Sequence, residues 1–456
     1  MKKLFCTISV LLIAAQCTWA LDVVYPKVNN VTINSNSTFF IGSANTKKPL
    51  TINGKTVSVH SSGGFAQSVP LNIGKNTFQI KSGKDFLTYT ITRPQPTNGN
   101  WTPPKLIEYD NMKYANVSVN NSPIRTTPID GGINRIAHLQ KGISLVIDGE
   151  KGSFYRVILG ANKEGWISKS NVQIKESGTS LTQLKGYDYV DTNEFFIFIF
   201  HLSGQTPWEL VEGEPFLIKL YNIEGQTNNT YVMDFPVHEA LGGKKLLGYS
   251  ANFSGSDFIV KIRKPILADS KKPLKNIKIT LDAGHGGSES GAIGCLGDKE
   301  KDVNLDFTKH LETELKNRGA IVSMTRTGDN YIGLQDRVDF ANDENATIFI
   351  SIHGNALTDN QDPIKNYGTE IYYYYNQSKP LADWIMNAMV NELGTNSHGI
   401  KQQSFAVVRN TNALSLLIEI GYLINPSDNA KMLNKDYQKK AAKAIADGIE
   451  NFFIKY

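Results

Sequence analysis

KITLDAGHGG, residues 278–287, decides how the rest of this 456-residue chain is read. Ile279 and Leu281 alternate with Thr280, a strand pattern, and the run then breaks at Gly284, Gly286 and Gly287 around a single histidine, His285. A strand that ends in a glycine-flanked histidine presents an imidazole at its carboxyl end, where open α/β sheets place their ligands. Glycine on either side lets backbone and ligand approach closely, because no Cβ intervenes. Such turns are common in α/β domains, so the weight of this one depends on the partners it finds downstream.

The loop SESGAIGCLGDKEKD leads into a helix expected over about 301–318, in which Val303, Phe307, Leu311 and Leu315 recur every four residues. Glu300 stands at its amino end, where the helix macrodipole favours an acid in any case. AIVSMTR (320–326) reads as the next strand, and Leu334, Val338 and Ala341 mark a second amphipathic helix. ATIFISIHGNA (346–356) is a nearly continuous apolar strand, as expected in a sheet covered on both faces, and it ends in His353 followed by Gly354. Two glycine-flanked histidines at strand ends favour a metal. The third unusual residue is Glu419, inside the apolar run LSLLIEIGYLINP (414–426). A carboxylate there is costly unless it meets a cation or does chemistry; a buried structural ion pair is the other reading. His310, on a charged helix, and His398, in a polar loop, read as solvated surface.

Two neutral imidazoles and one carboxylate make the ligand set of a catalytic zinc site, with a fourth position left to water. The metal brings the pKa of that water to roughly 7 and polarises a carbonyl, while a second carboxylate acts as general base. His285, Glu300 and His353 supply the first set and leave Glu419 for the second role. Calcium or magnesium would call for more oxygen ligands, so zinc is the expected ion. Asp282, beside the turn, is expected to orient the His285 ring.

Five stretches carry a resemblance over residues 275–456: LDAGHGG (281–287), GAIG…KEKDVNL (291–305), TRTGD (325–329), ISIHGNA (350–356) and VVRNTN…LLIEIGYLINP (407–426). In order and spacing this region resembles the zinc-dependent N-acetylmuramoyl-L-alanine amidases of bacterial cell walls. The resemblance implies that His285, Glu300 and His353 bind zinc and that Glu419 is the catalytic acid/base. It also implies hydrolysis of the amide between N-acetylmuramic acid and the L-alanine of the stem peptide, with peptidoglycan as substrate. Ala283 and Leu414 stand where the family more often has proline, and Gly354 where alanine is commoner; none is a ligand or the catalytic acid. Some members carry a helical insertion after the second zinc histidine that plugs the site. Here LTDNQDPIKNYG (357–368) is short and contains Pro363, so it reads as a loop, and the site is expected to be open.

The rest of the chain reads as a multidomain protein, with small all-β modules ahead of a C-terminal α/β domain whose central sheet is flanked by helices. Residues 1–20 form an expected signal peptide, with Lys2 and Lys3, an apolar run from Leu4 to Ala15, and Thr18 and Ala20 placed for cleavage. That run is too short to span a membrane, so the protein is expected to be exported, to periplasm, cell wall or medium. Cleavage would leave Cys295 as the single cysteine, excluding an intramolecular disulfide, and would lower the formal charge from +5 to +3, too little to argue for nucleic acid. Residues 21–92, with the Asn53-Gly54 hairpin, resemble an immunoglobulin-like β-sandwich; 93–114 is a Pro-rich linker. Residues 115–175, through Arg125, Lys141-Gly142 and Gly165-Trp166-Ile167, resemble a bacterial Src-homology-3-like barrel, and 182–263 an AMIN-like β module. These modules are expected to target the enzyme to wall polymer rather than to catalyse, with a spacer barrel carrying Trp166 in its core as the other reading of 115–175. A zinc peptidase cutting within the stem peptide and a non-catalytic wall-binding protein are the alternative readings.

Overall fold

The structure, a computed structural model, describes residues 20–96, 102–179, 181–266, 268–269 and 271–455. The expected signal peptide therefore lies, apart from Ala20, outside the described residues. Among the described residues no helix is long and apolar enough to cross a membrane.

The C-terminal domain is an α/β unit in which strands β1 (Lys278–Ala283), β2 (Ile321–Met324), β3 (Ile348–Asn355), β4 (Thr369–Tyr373), β5 (Ser397–Gln402) and β6 (Leu414–Tyr422) form one sheet. The strand order is β2-β1-β3-β6-β4-β5. All neighbours are parallel except β4, which runs against β6. The helices are α1 (Glu300–Asn317), α2 (Leu334–Asp343), α3 (Lys379–Leu393), α4 (Pro426–Met432) and α5 (Lys435–Lys455). The apolar run of β3 has a simple cause: both of its faces are buried. Ile348, Ile350 and Ile352 pack with Leu311 and Leu315 of α1 and Ile445 and Ile449 of α5. Phe349, on the opposite face, packs with Leu417, Val338 and Ala341 under α2. Each such side chain stabilises the fold by about 1.5–3 kcal/mol through removal from water.

Because β1, β3 and β6 are adjacent and parallel, their carboxyl ends emerge together. Ala283 pairs with Ile352, and His353 with Glu419. Helix α1 begins at Glu300, so its first side chain comes up beneath the same edge.

The amino-terminal β region forms three units. The first has a three-stranded and a five-stranded sheet between Asp22 and Arg93, around Phe40, Phe65, Ile80 and Ile91. Its Asn53-Gly54 hairpin has positive φ at both turn residues (49° and 79°), as a type I′ turn requires. The second unit is a seven-stranded antiparallel sheet with Trp166 buried inside. Its longest strand, Leu106–Val117, starts within the stretch 93–114 expected to be linker, so the linker is shorter than its composition suggests. That strand is mostly exposed over 106–114, where backbone pairing to residues 144–151 holds it, while Ala115 and Val117 near its end are buried in the unit's core. The third unit has a four-stranded and a three-stranded sheet from Leu184 to Arg263. Its core is continuous with that of the second: Leu145, Ile147 and Leu159 belong to the same buried cluster as Phe200, Phe216 and Phe258.

The third unit rests on the end of the C-terminal sheet away from the histidines. Tyr249 N donates to Thr411 O (2.8 Å), and Arg263 Nη2 to Asn345 Oδ1 (2.7 Å). Glu212 accepts from Tyr249 Oη and Gln377 N, both at 3.0 Å. Burial pushes its carboxyl above the ordinary value, more than these bonds offset. The folded chain then keeps a proton that the unfolded chain has released. Stability should fall as pH rises from about 4.3 to the raised value and level off above it. Glu212→Gln should lack this component, so the variant should gain on the wild type across that window. Urea midpoints for both proteins at several pH values test it; a pH-independent difference would refute it.

Candidate metal centre

The centre starts where the chain leaves β1. His285 has φ +60°, a left-handed conformation uncommon for a residue with a Cβ, and it turns its carbonyl and those before it away from the sheet. Two buried arginines take up those carbonyls. Arg326 donates from Nε to Ala283 O (2.8 Å) and from Nη2 to Gly284 O (3.0 Å). Arg337 donates from Nη1 to Ala283 O (2.9 Å) and from Nη2 to His285 O (3.0 Å). Arg337 Nη1 also meets Asp282 Oδ1 at 2.6 Å, and the fully buried Asp282 accepts from Thr325 Oγ1 and Ser351 Oγ at the same distance. Asp282 was expected to orient the His285 ring; it acts instead on the backbone, through Arg337, because β1 points its side chain into the domain. Arg326 lies in the TRTGD stretch, whereas Arg337 does not stand out in the sequence, since an arginine on an amphipathic helix ordinarily faces water.

His285, Glu300 and His353 converge, with one donor atom from each lying within 4.8 Å of the others. The Glu300 carboxylate bridges the rings, with Oε2 3.2 Å from His285 Nε2 and Oε1 2.9 Å from His353 Nδ1. It also accepts from the backbone of Ala292 (2.8 Å) and Gly354 (3.2 Å) and from Asn304 Nδ2 (3.2 Å). Burial works to raise its pKa, but the bonds to both imidazoles outweigh that and hold it well below the usual carboxylate range. The same pairing pushes His285 up. Two positions around the cluster have room only for glycine. A Cβ on Gly284 would sit 2.2 Å from the His353 ring, and one on Gly291 (φ +66°) would sit 2.4 Å from Glu300 Oε2. Two nitrogen donors and one carboxylate, held this close and cradled by glycine, fit a divalent cation of borderline softness.

Glu419 sits in the sheet between two site neighbours, in register with His353 of β3 on one side and Glu370 of β4 on the other. Its Oε2 is buried with no hydrogen-bond partner among the described residues. Burial raises its pKa well above the ordinary value, and the charges of Glu300 and Glu370 add to this.

Glu370 is a site residue that sequence reasoning missed. It is 2% exposed and accepts from Tyr422 Oη (2.7 Å), Lys401 Nζ (2.7 Å), His398 Nδ1 (2.5 Å) and Asn355 Nδ2 (3.2 Å), with the Tyr372 hydroxyl also bonded to it. Burial would raise its pKa, yet these bonds hold it at about 2. The signal was present, an acid inside the apolar strand TEIYYYY, and it is the same signal that marks Glu419. His398 consequently is not solvated surface: β5 pairs with β4 and lays its ring on Glu370. His310 does lie partly exposed on α1.

A family model described as N-acetylmuramoyl-L-alanine amidase matches residues 279–451. YqiI of Bacillus subtilis is 36% identical over 190 residues, which cover 41% of this chain and 89% of YqiI. The N-acetylmuramoyl-L-alanine amidase LytC of the same organism is 36% identical over 221 residues, covering 46% of this chain but 43% of LytC. Among solved structures, the N-acetylmuramoyl-L-alanine amidase AmiC2 of Nostoc punctiforme is 34% identical, covering 41% of this chain and 98% of that one, with a TM-score of 0.37.

The buried Asp282–Arg337 pair gives a direct test of what holds the centre. Arg337→Leu should cost about 3–5 kcal/mol, because it leaves a buried charge without its partner. Adding Asp282→Asn should recover part of that loss. Denaturant unfolding of the two single variants and the double variant measures the coupling, and strictly additive losses would show that the residues do not act as a pair.

Proposed function

The chain belongs to the N-acetylmuramoyl-L-alanine amidase family, hydrolases of cell-wall peptidoglycan, and we propose that it cuts with zinc held by His285, Glu300 and His353 and with Glu419 as the proton carrier. The observation that supports this most is the pairing of two kinds of carboxylate at one sheet edge. Glu300 is committed to both imidazoles, whereas Glu419, one strand over, keeps a buried oxygen without a partner.

Zinc bound there would supply the Lewis acidity that makes water a nucleophile near neutral pH and polarises the lactyl carbonyl. Glu419 takes the proton of the attacking water as the new C–O bond forms. It then delivers that proton to the alanine nitrogen as the C–N bond breaks, so that a neutral amine leaves. A carboxyl whose pKa is raised by burial suits both halves of this exchange. Glu370 keeps Tyr372, Tyr422 and Asn355 fixed around Glu419. Arg326 and Arg337 keep the His285 turn closed. The products are the lactyl carboxylate on the glycan and a stem peptide with a free L-alanine amine.

In the same reading, the signal-like residues 1–20 direct export, and the three β units correspond to an immunoglobulin-like sandwich, a Src-homology-3-like barrel and an AMIN-like module able to contact wall polymer. Their support is the motifs at Arg125 and Gly165-Trp166-Ile167 and the predominantly antiparallel sheets of the described residues between Asp22 and Arg263.

Metal analysis and turnover together test the site. His285→Ala and His353→Ala should lose both bound zinc and activity, since three protein ligands are the usual minimum. Glu419→Gln should keep its zinc while turnover drops by about 10²–10⁴-fold. If Glu419→Gln loses the metal and Glu300→Gln retains it, the two glutamates have exchanged roles. Product analysis on purified sacculi distinguishes the amidase from a stem-peptide peptidase: the amidase releases intact stem peptides, the peptidase fragments of them.

A further inference from the structure

The first β unit does not hang free of the C-terminal domain. It is seated on the sheet edge that carries the centre. Phe39 and Ile41, from the strand Ser37–Ser43, and Ala66, from the strand Gly64–Pro70, form one buried cluster with Cys295, Tyr422 and Ile424; Tyr25 and Leu357 pack against it. The apolar contact is closed by a polar latch, in which Tyr25 Oη and Thr38 Oγ1 both donate to Asp359 Oδ1 at 2.6 Å. Gly64 marks the closest approach, since a Cβ there would lie 3.2 Å from Cys295 Cβ.

Each gripped segment adjoins a residue of the centre. Cys295 precedes Glu300 by five residues, Leu357 and Asp359 follow His353 by four and six, and Tyr422 follows Glu419 by three. Tyr422 joins the two sides: it is 3% exposed within the interface cluster, and its hydroxyl bonds Glu370, the strand neighbour of Glu419. The seated unit holds the flanks of the site without covering it, for the His285 and His353 side chains keep 29% and 17% of their surface exposed. The loop 357–368 has no helix and is pinned by the latch at Asp359.

We infer that the first β unit is a working part of the active site, that its seated position is the active one, and that Tyr422 is the positioning residue through which it steadies Glu370 and Glu419. The inference rests on the amidase reading above, and it departs from the expectation that this module only targets the enzyme.

A reversible lock decides it in the full chain with Cys6 and Cys17 replaced by serine. Gly64→Cys puts its Cβ 3.2 Å from Cys295 Cβ, about 0.6 Å short of the roughly 3.8 Å separation a disulfide needs, a gap a small backbone shift closes. A second variant, Gly64→Phe, wedges the contact apart; Gly64 is not in the left-handed region, so its backbone accepts a side chain. The disulfide should form under mild oxidant. The locked protein should then keep its kcat on a small soluble muropeptide to within about twofold of the reduced form. The wedge should lower kcat by at least about tenfold with KM little changed, because small misplacements of reacting groups are costly. Its zinc content should be unchanged, and amide exchange at 355–359 and 422–424 should quicken. A locked protein silent until reduced would overturn the inference, since the unit would then have to leave for turnover. A wedge with faster exchange but undiminished kcat would also overturn it and leave only a tether, and a lock that never closes would refute the seated geometry itself. A wild-type chain inert on the muropeptide would overturn the amidase reading and this inference with it, and that control keeps the two failures apart.

Discussion

The whole centre hangs on how the chain is allowed to leave β1. A strand that ends by turning through a left-handed histidine gives up the ladder for its last carbonyls, and buried carbonyls without donors are expensive. Arg326 and Arg337 supply those donors, 3% and 2% exposed respectively. Two guanidinium groups in so dry a place would themselves be costly; Asp282, fully buried, balances Arg337, and carbonyl oxygens share the remaining charge. The fork of an arginine can hold two acceptors at fixed separation, which a lysine cannot do. The imidazole that the turn presents is thus placed first by backbone chemistry, and Glu300 then meets its ring.

Once His285 is placed, the sheet does the rest. Parallel neighbours bring His353 and Glu419 to the same level, and three carboxylates then crowd one edge: Glu300, Glu419 and Glu370. Their surroundings separate them. Glu300 is drawn down by two imidazoles, Glu370 by two tyrosines, a lysine, a histidine and an asparagine, and Glu419, with neither, is left in the dry gap and pushed up. Acids whose environments drive their proton affinities apart are what the proposed division into metal ligand, scaffold and proton carrier calls for.

Much of this was legible in the amino-acid sequence alone. β3 and β6 read correctly as buried strands because both faces of the sheet are covered, and helix α1 because its apolar stripe faces a single core. Glu419 could be singled out because an acid in an apolar strand has few cheap explanations, and Glu370 escaped only because the tyrosines after it make its strand look less apolar. Features set by long-range contact were not legible. The reversal of β4, the docking of His398 on Glu370 and the burial of Arg337 leave no periodic trace. The strand Leu106–Val117 was hidden because it follows Pro103 and Pro104 and lies mostly exposed, with Ala115 and Val117 alone of its residues buried in the core.

The shared core of the second and third β units changes how such an enzyme meets an insoluble polymer. Modules strung on flexible linkers search independently, and their joint grip is set by linker length. Here Gln140 of the second unit bonds the backbone of Phe253 in the third. Arg263 of the third bonds the base of the catalytic sheet, and Arg135 of the second bonds Ser404 beside it. The distance from any polymer-contacting surface on these units to Glu419 is therefore a property of the folded body, not of a tether. Were these units to hold wall polymer as proposed, the molecule would work as a gauge: attachment and cleavage would cooperate only on wall segments whose spacing and orientation match that fixed offset.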